Sequence, residues 1–97
     1  MEEIYELGFN DFVFDVDLSR LDPSVRRRIL NTIESKLEIA PMHFGKPLRY
    51  TLKNLRSLRV GDYRVLYQVK RRKVFIGAVF HRSAEYEEWE HRFTSNL

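Results

Sequence analysis

Leu55-Arg56-Ser57-Leu58-Arg59-Val60-Gly61-Asp62-Tyr63-Arg64-Val65-Leu66-Tyr67 is the stretch that decides the fold. Leu58 and Val60 before Gly61-Asp62, and Tyr63, Val65 and Tyr67 after it, alternate with other residues at the period of a half-buried strand. Gly61-Asp62 between them is a two-residue hairpin turn, with glycine where a positive φ is wanted. Such a turn fixes the register: Val60 faces Tyr63 and Arg59 faces Arg64. One face then carries Leu58, Val60, Tyr63, Val65 and Tyr67, a core face, while the other carries two arginines directly across from each other. Like charges so placed repel, and Asp62 is the one acid nearby in sequence. A lone arginine on a sheet is ordinarily a solvated side chain; the pair points to an anion held between the strands.

Towards the C-terminus, Lys70-Arg71-Arg72-Lys73 turns the chain into a third strand, Val74 to Arg82. That basic turn reads either as a solubilising hairpin tip or as a substrate contact. Carrying the alternation across it puts His81 on the arginine face, with Arg82 next, at the strand end where alternation no longer fixes direction. His81 is open to two readings, a hydrogen-bonding group at a strand end or a proton-transfer group. From Ser83 to Phe93, Tyr86, Trp89 and Phe93 fall on helical spacing, so Tyr86 serves either packing or function.

Towards the N-terminus the connection 41–54, with two prolines, Gly45, Lys46 and Lys53, reads as irregular and basic. Asp22-Pro23 is a firm helix start, an N-cap followed by proline at the first helical position. Val25, Ile29, Ile33 and Leu37 recur every four residues behind it, with Leu30 widening the stripe, and Arg26-Arg27-Arg28 fall on its wet faces. Residues 10–21 fit both periods, since Phe12, Phe14, Val16 and Leu18 alternate while Phe9, Phe12, Val13 and Val16 suit a helix. Asn10 as N-cap and Asp11 in the first turn favour the helix. Ile4 to Phe9 is a short strand. The order is β-α-α-β-β-β-α, an α+β fold with helices packed on one face of a mostly antiparallel sheet.

The 97 residues suit one domain, 1–97, with no linker or repeat visible. There is no cysteine, hence no disulfide or thiolate chemistry, and His43, His81 and His91 lack ligand spacing, so neither metal nor cofactor is expected. The acidic Met1-Glu2-Glu3 start is unlike a signal peptide, and the longest apolar run, Val74 to Phe80, is far too short to span a membrane. A cytoplasmic location is the expectation. The net charge of +3 hides a segregation: residues 1–22 carry −6, 23–45 carry +2, 46–82 carry +10 and 83–97 carry −3. So concentrated a basic segment points to a polyanion, with RNA the leading candidate.

Leu48, the stretch Leu55 to Tyr67 and the closing His81-Arg82-Ser83-Ala84-Glu85-Tyr86 resemble the RelE/ParE family of toxins from prokaryotic toxin–antitoxin pairs. Leu21-Asp22-Pro23-Ser24-Val25-Arg26 and Phe44-Gly45-Lys46-Pro47-Leu48 carry the resemblance over nearly the whole chain. It implies a toxin silenced by a cognate antitoxin. RelE-type members cut messenger RNA on the ribosome, whereas ParE-type members poison DNA gyrase. For a cutting member, Arg64 matches the strand arginine before Val-Leu-Tyr, Arg82 the arginine after the last strand, and Tyr86 the tyrosine that stacks on a base. The lysines that precede the glycine turn in some members are absent, with Arg56 and Arg59 in that stretch. The glutamate base of another branch is missing from residues 46–49, which leaves His81 as the replacement base.

The expected chemistry needs no metal. The RNA 2′-hydroxyl attacks the adjacent phosphate, arginines hold that phosphate and stabilise its developing charge, and a histidine moves the proton. Arg64, Arg82, His81 and Tyr86 are the expected catalytic set, and Lys46, Lys53, Arg56, Arg59, Arg71 and Arg72 the expected RNA contacts. Two further readings stand beside this one: a gyrase-inhibiting toxin, and a non-catalytic module acting through its antitoxin as a co-repressor.

Overall fold

The computed structural model describes residues 4–48 and 54–93, so Lys53 lies outside the described residues. Five strands form one sheet in the order β1-β5-β4-β3-β2: β1 Glu6–Phe9, β2 Lys46–Pro47, β3 Leu55–Val60, β4 Tyr63–Lys70 and β5 Lys73–His81. β1 runs parallel to β5 and the other neighbours are antiparallel. The α+β class matches the sequence reading, as does the element order outside residues 41–54. The connection 41–54, expected to be irregular, holds a short helix, α3 Pro41–Phe44, and the two-residue edge strand β2. A strand this short that contains a proline gives no alternation to read, and proline is tolerated there because the sheet edge needs no further N–H donor.

Of residues 10–21, 11–18 are helical. The Asn10 side chain accepts the Phe12 N–H at 2.9 Å, and the helix α1, Val13–Leu18, buries Val13, Asp17 and Leu18 while Phe12 and Phe14 stay exposed. α2, Pro23–Thr32, starts at Asp22-Pro23 and is carried on by a wider-pitched turn, Ile33–Leu37. Its stripe of Ile29, Ile33 and Leu37 packs on Leu58, Val60, Val65 and Tyr67, the sheet face the alternation assigned to the core.

Helices were expected on one face only, and here the structure differs. α4, Tyr86–Arg92, a tight three-residue-per-turn helix, crosses to the other face, where Phe93 joins Leu55, Leu66, Ala78 and Phe80 in a second core. Trp89 stacks on Phe80 with ring centroids 4.3 Å apart and planes 7° from parallel. β5 is therefore covered on both sides, which explains why Val74 to Phe80 is an unbroken apolar run.

The β4–β5 ladder contains a bulge, with its register shifting between Leu66 and Tyr67. Tyr67 pairs with Ile76 but Leu66 pairs with Ala78, so Gly77 is the extra residue. A side chain at Gly77 would collide with the Phe93 ring, so the glycine lets α4 close over the sheet.

Candidate functional site

The hairpin places its arginines as the turn dictates. Arg59 pairs with Arg64 and Val60 with Tyr63, and both arginines are exposed. Gly61 has φ +60, the left-handed conformation such a turn requires. Arg59 Nε donates to the Gly61 carbonyl at 3.1 Å, which folds its guanidinium towards the turn.

The bulge reassigns His81. Counting straight across the Lys70–Lys73 turn put His81 on the arginine face; the extra residue at Gly77 reverses that, and His81 pairs with Tyr63 instead. Its ring meets the Tyr63 ring edge-on, with centroids 5.5 Å apart. It borders an open cleft of about 480 Å³ between α1 and α4 that Arg20, Tyr63, Glu88 and Trp89 also line. The register pairs Phe80 with Arg64, and Arg82, one residue past the end of β5, sits beside the Gly61-Asp62 turn. Its N–H donates to the Asp62 carbonyl at 2.8 Å and its Nε lies 3.4 Å from Asp62 Oδ1.

His81 is held by Ser83. Nδ1 lies 2.8 Å from the Ser83 hydroxyl and 3.2 Å from the Ser83 backbone nitrogen. The backbone N–H can only donate, so its contact goes with the tautomer that carries hydrogen on Nε2. The alternative tautomer donates from Nδ1 to the hydroxyl oxygen and leaves Nε2 free to accept a proton. Ser83 is therefore the residue on which any proton-accepting role of His81 depends.

Lys46 pairs with Ser57, which puts it on the arginine side of the sheet. Together with Lys36, Arg59 and Arg64 it lines a groove of about 470 Å³ whose apolar wall includes Phe44 and Leu48. Arg56, expected among the RNA contacts, does not belong there. It shares the side of Tyr67, its partner across the strands. Its Nη2 donates to the carbonyls of Met42 at 2.9 Å and Gly45 at 2.7 Å, clasping α3. Tyr67 completes that clasp by donating to the Pro41 carbonyl at 2.7 Å. Burial pushes the Tyr67 phenol above its usual range, against the lowering influence of nearby Arg56.

Arg71 and Arg72 lie at the far end of the sheet. β4 runs from the Gly61-Asp62 turn to the Lys70–Lys73 turn, and its 8 residues span roughly 23 Å at a strand's rise per residue. Arg71 occupies the left-handed position of that turn, φ 59, and Arg72 stacks over Tyr5 at 4.7 Å. Tyr86 packs at the edge of the second core. Burial first, then Glu87, Glu90 and Glu85, raise its phenol pKa, so the group stays neutral at physiological pH. The +10 segment is thus divided among the turn end of the sheet, an internal clasp and a distant hairpin tip.

Sequence reasoning missed Arg28. Read as a wet helix residue, it in fact reaches the hairpin turn: a Cβ at Gly61 would sit 3.1 Å from Arg28 Nη1 and 3.5 Å from its Cζ. Among the described residues, no three His, Asp or Glu side chains are grouped to hold a metal ion, and no helix is long and apolar enough to cross a membrane.

The five-stranded sheet with its flanking helices matches a class of small toxin folds. The family model described as the ParE toxin of the type II toxin–antitoxin system parDE matches residues 14–86. Toxin RelE of Mycobacterium tuberculosis is 38% identical over 72 residues, covering 72% of this chain and 74% of that protein. The toxin–antitoxin complex RelBE2 of the same organism contains a chain that superposes with a TM-score of 0.74 at 31% identity, over 84% of this chain and 94% of that one. An archaeal RelE–RelB complex from Pyrococcus horikoshii gives 0.68 at 26%, over 84% and 98%. The chain belongs to the RelE/ParE family of type II toxin–antitoxin toxins.

Proposed function

We propose that the protein is a ribosome-dependent messenger-RNA endonuclease whose activity a cognate antitoxin suppresses. The observation that carries the reading is the cross-strand pair Arg59–Arg64, with Arg82 tied to Asp62 at the adjoining turn. This is an excess of guanidinium charge that a phosphodiester would neutralise. In the reaction the 2′-oxygen attacks the adjacent phosphorus and loses its proton, the bond to the 5′-oxygen breaks, and that oxygen takes up a proton. Arg64 and Arg82 hold the phosphate and stabilise the charge that builds on its oxygens. His81, next in sequence to Arg82, receives the 2′-proton. Tyr86 offers a neutral ring against which a base can stack.

The antitoxin is expected to cover the basic groove. Lys36 and Lys46 line it beside Phe44, and Ile39, Met42 and Phe44 are large apolar side chains left 42–58% exposed nearby. An acidic amphipathic segment suits that combination. Two relatives of known structure are held in toxin–antitoxin complexes.

A gyrase-directed toxin is the second reading. It is favoured by the ParE description of the matching family model and by the separation of His81 from the arginine face. Primer extension on a translated reporter message after induction decides between them. Codon-spaced cuts in translated regions support the endonuclease; DNA breakage with intact message supports the gyrase reading.

A further inference from the structure

We propose that Arg28 and Arg59 form a second phosphate site over the Gly61-Asp62 turn, so that the RNA backbone leaving Arg64 and Arg82 crosses the end of the sheet towards α2. The inference rests on the reading of the protein as an RNA-binding toxin. Three elements send arginines to one two-residue turn. Arg28 comes from α2 and lies over Gly61. Arg59 comes from β3 and is tied to the Gly61 carbonyl. Arg82 follows β5 and is tied to Asp62.

Arg28 has no acid to draw it along its own helix. The positions that flank it there, Ser24, Val25, Asn31 and Thr32, are all uncharged, so no i±3 or i±4 ion pair competes. Asp62 lies beside Arg82. Sending the Arg28 and Arg59 guanidiniums to the same two-residue turn is electrostatically unfavourable unless an anion offsets them. Gly61 permits the approach twice over, by adopting φ +60 and by presenting no side chain where the guanidinium lies. A planar fork is also the group suited to bidentate phosphate contact. A strand of RNA held by Arg64 and Arg82 on the sheet face would place a neighbouring phosphate at this turn, which gives the polymer a direction across the protein.

The test is fluorescence anisotropy of the purified chain with a single-stranded RNA of about a dozen nucleotides, made uncleavable by 2′-deoxy substitution and titrated at several salt concentrations. Arg28→Gln, Arg28→Lys, Arg27→Ala and Arg64→Ala are compared with wild type, after melting curves confirm that each is folded. Losing one phosphate contact lowers the slope of log affinity against log salt by about 0.7 and weakens binding about fourfold at physiological salt. Arg28→Gln is expected to show both changes, and Arg28→Lys to keep most of the slope. Arg27→Ala, which removes the same charge one position away, should show less than half of either. If Arg28→Gln binds like wild type while Arg64→Ala is weakened, the second site is overturned and the RNA-binding reading stands. If Arg28→Gln and Arg27→Ala are equivalent, the effect is general charge and the site is again overturned. If wild type shows no salt-dependent RNA binding, both fall together.

Discussion

Asp17 and Arg92, 75 positions apart, form a buried ion pair: Arg92 Nη1 lies 2.7 Å from Asp17 Oδ2, with side chains 9% and 4% exposed. The same oxygen accepts the Val79 N–H at 2.9 Å, and Arg92 also donates to the Gly77 carbonyl at 3.1 Å. β1 pairs only with Lys73 to Ile76, so it is α1, through Asp17, that satisfies β5 further along. One carboxylate thus joins α1, the bulged part of β5 and α4.

Removing one member of such a pair leaves the other charge buried. Asp17→Ala is expected to lose ~3–5 kcal/mol of stability. Asp17→Asn should lose less, because its amide oxygen still accepts from Val79. Urea unfolding followed by circular dichroism measures both, and equal losses would mean the Val79 contact contributes nothing.

Arg56 is expected to matter for folding and not for RNA. Its two bonds to the Met42 and Gly45 carbonyls are charge-assisted, a type of contact worth ~1.5–3 kcal/mol. Arg56→Ala should lower the unfolding midpoint while RNA affinity, measured well below that midpoint, stays within about twofold of wild type. Arg59→Ala should do the reverse.

The contrast between Arg56 and His81 shows what the sequence could carry. A two-residue turn leaves the β3–β4 register no freedom, so the Arg59–Arg64 pair and the core face could be read in advance, and Arg56 already shared its parity with Leu58 and Val60. The β4–β5 ladder offered no such certainty. Gly77 inside an apolar strand was the available sign of a bulge, and one extra residue there moved His81 off the arginine face. Arg28 and the Asp17–Arg92 pair depend on how α1, α2 and α4 pack against the sheet, and local periodicity holds no record of that.

Tyr67 should make the fold sensitive to alkali. Burial raises its pKa above the ordinary value of 10.0, so the folded state holds the phenol proton more tightly than the unfolded chain does. The corresponding stability is fully present below pH 10 and is lost as pH rises through the folded value. Stability measured against pH should fall in that window for wild type and less steeply for Tyr67→Phe. The variant should also start lower, having lost the bond to the Pro41 carbonyl. Parallel profiles for the two proteins would assign the alkaline loss to other groups.

Arg64 and His81 separate phosphate stabilisation from proton transfer. On programmed ribosomes at saturating protein, Arg64→Ala should slow single-turnover cleavage by about 10²–10³, and Arg64→Lys should recover part of that because it lacks the bidentate fork. His81→Ala should cost about 10²–10⁴ if His81 takes the 2′-proton. Ser83→Ala, which removes the hydroxyl contact to Nδ1, should give a smaller loss. Wild-type cleavage by His81→Ala would remove the histidine from the mechanism and leave the arginines in place. Loss of toxicity in none of these variants would favour the gyrase reading.

Arg71 tests whether the distant hairpin tip serves docking. It is exposed at the end of the sheet away from Arg64, separated by roughly the length of β4, about 23 Å, too far to touch the scissile phosphate. A contact at that distance can raise the chance of association with the ribosome, through long-range attraction that salt screens, but it cannot act selectively on the transition state. Arg71→Ala should therefore raise the protein concentration needed for half-maximal cleavage, most clearly at low salt, while the rate at saturation stays close to wild type. Arg64→Ala should show the opposite division. A slowed saturating rate in Arg71→Ala would mean that the tip positions the message during the chemical step, and an unchanged concentration dependence would leave Lys70 to Lys73 as a solvated turn.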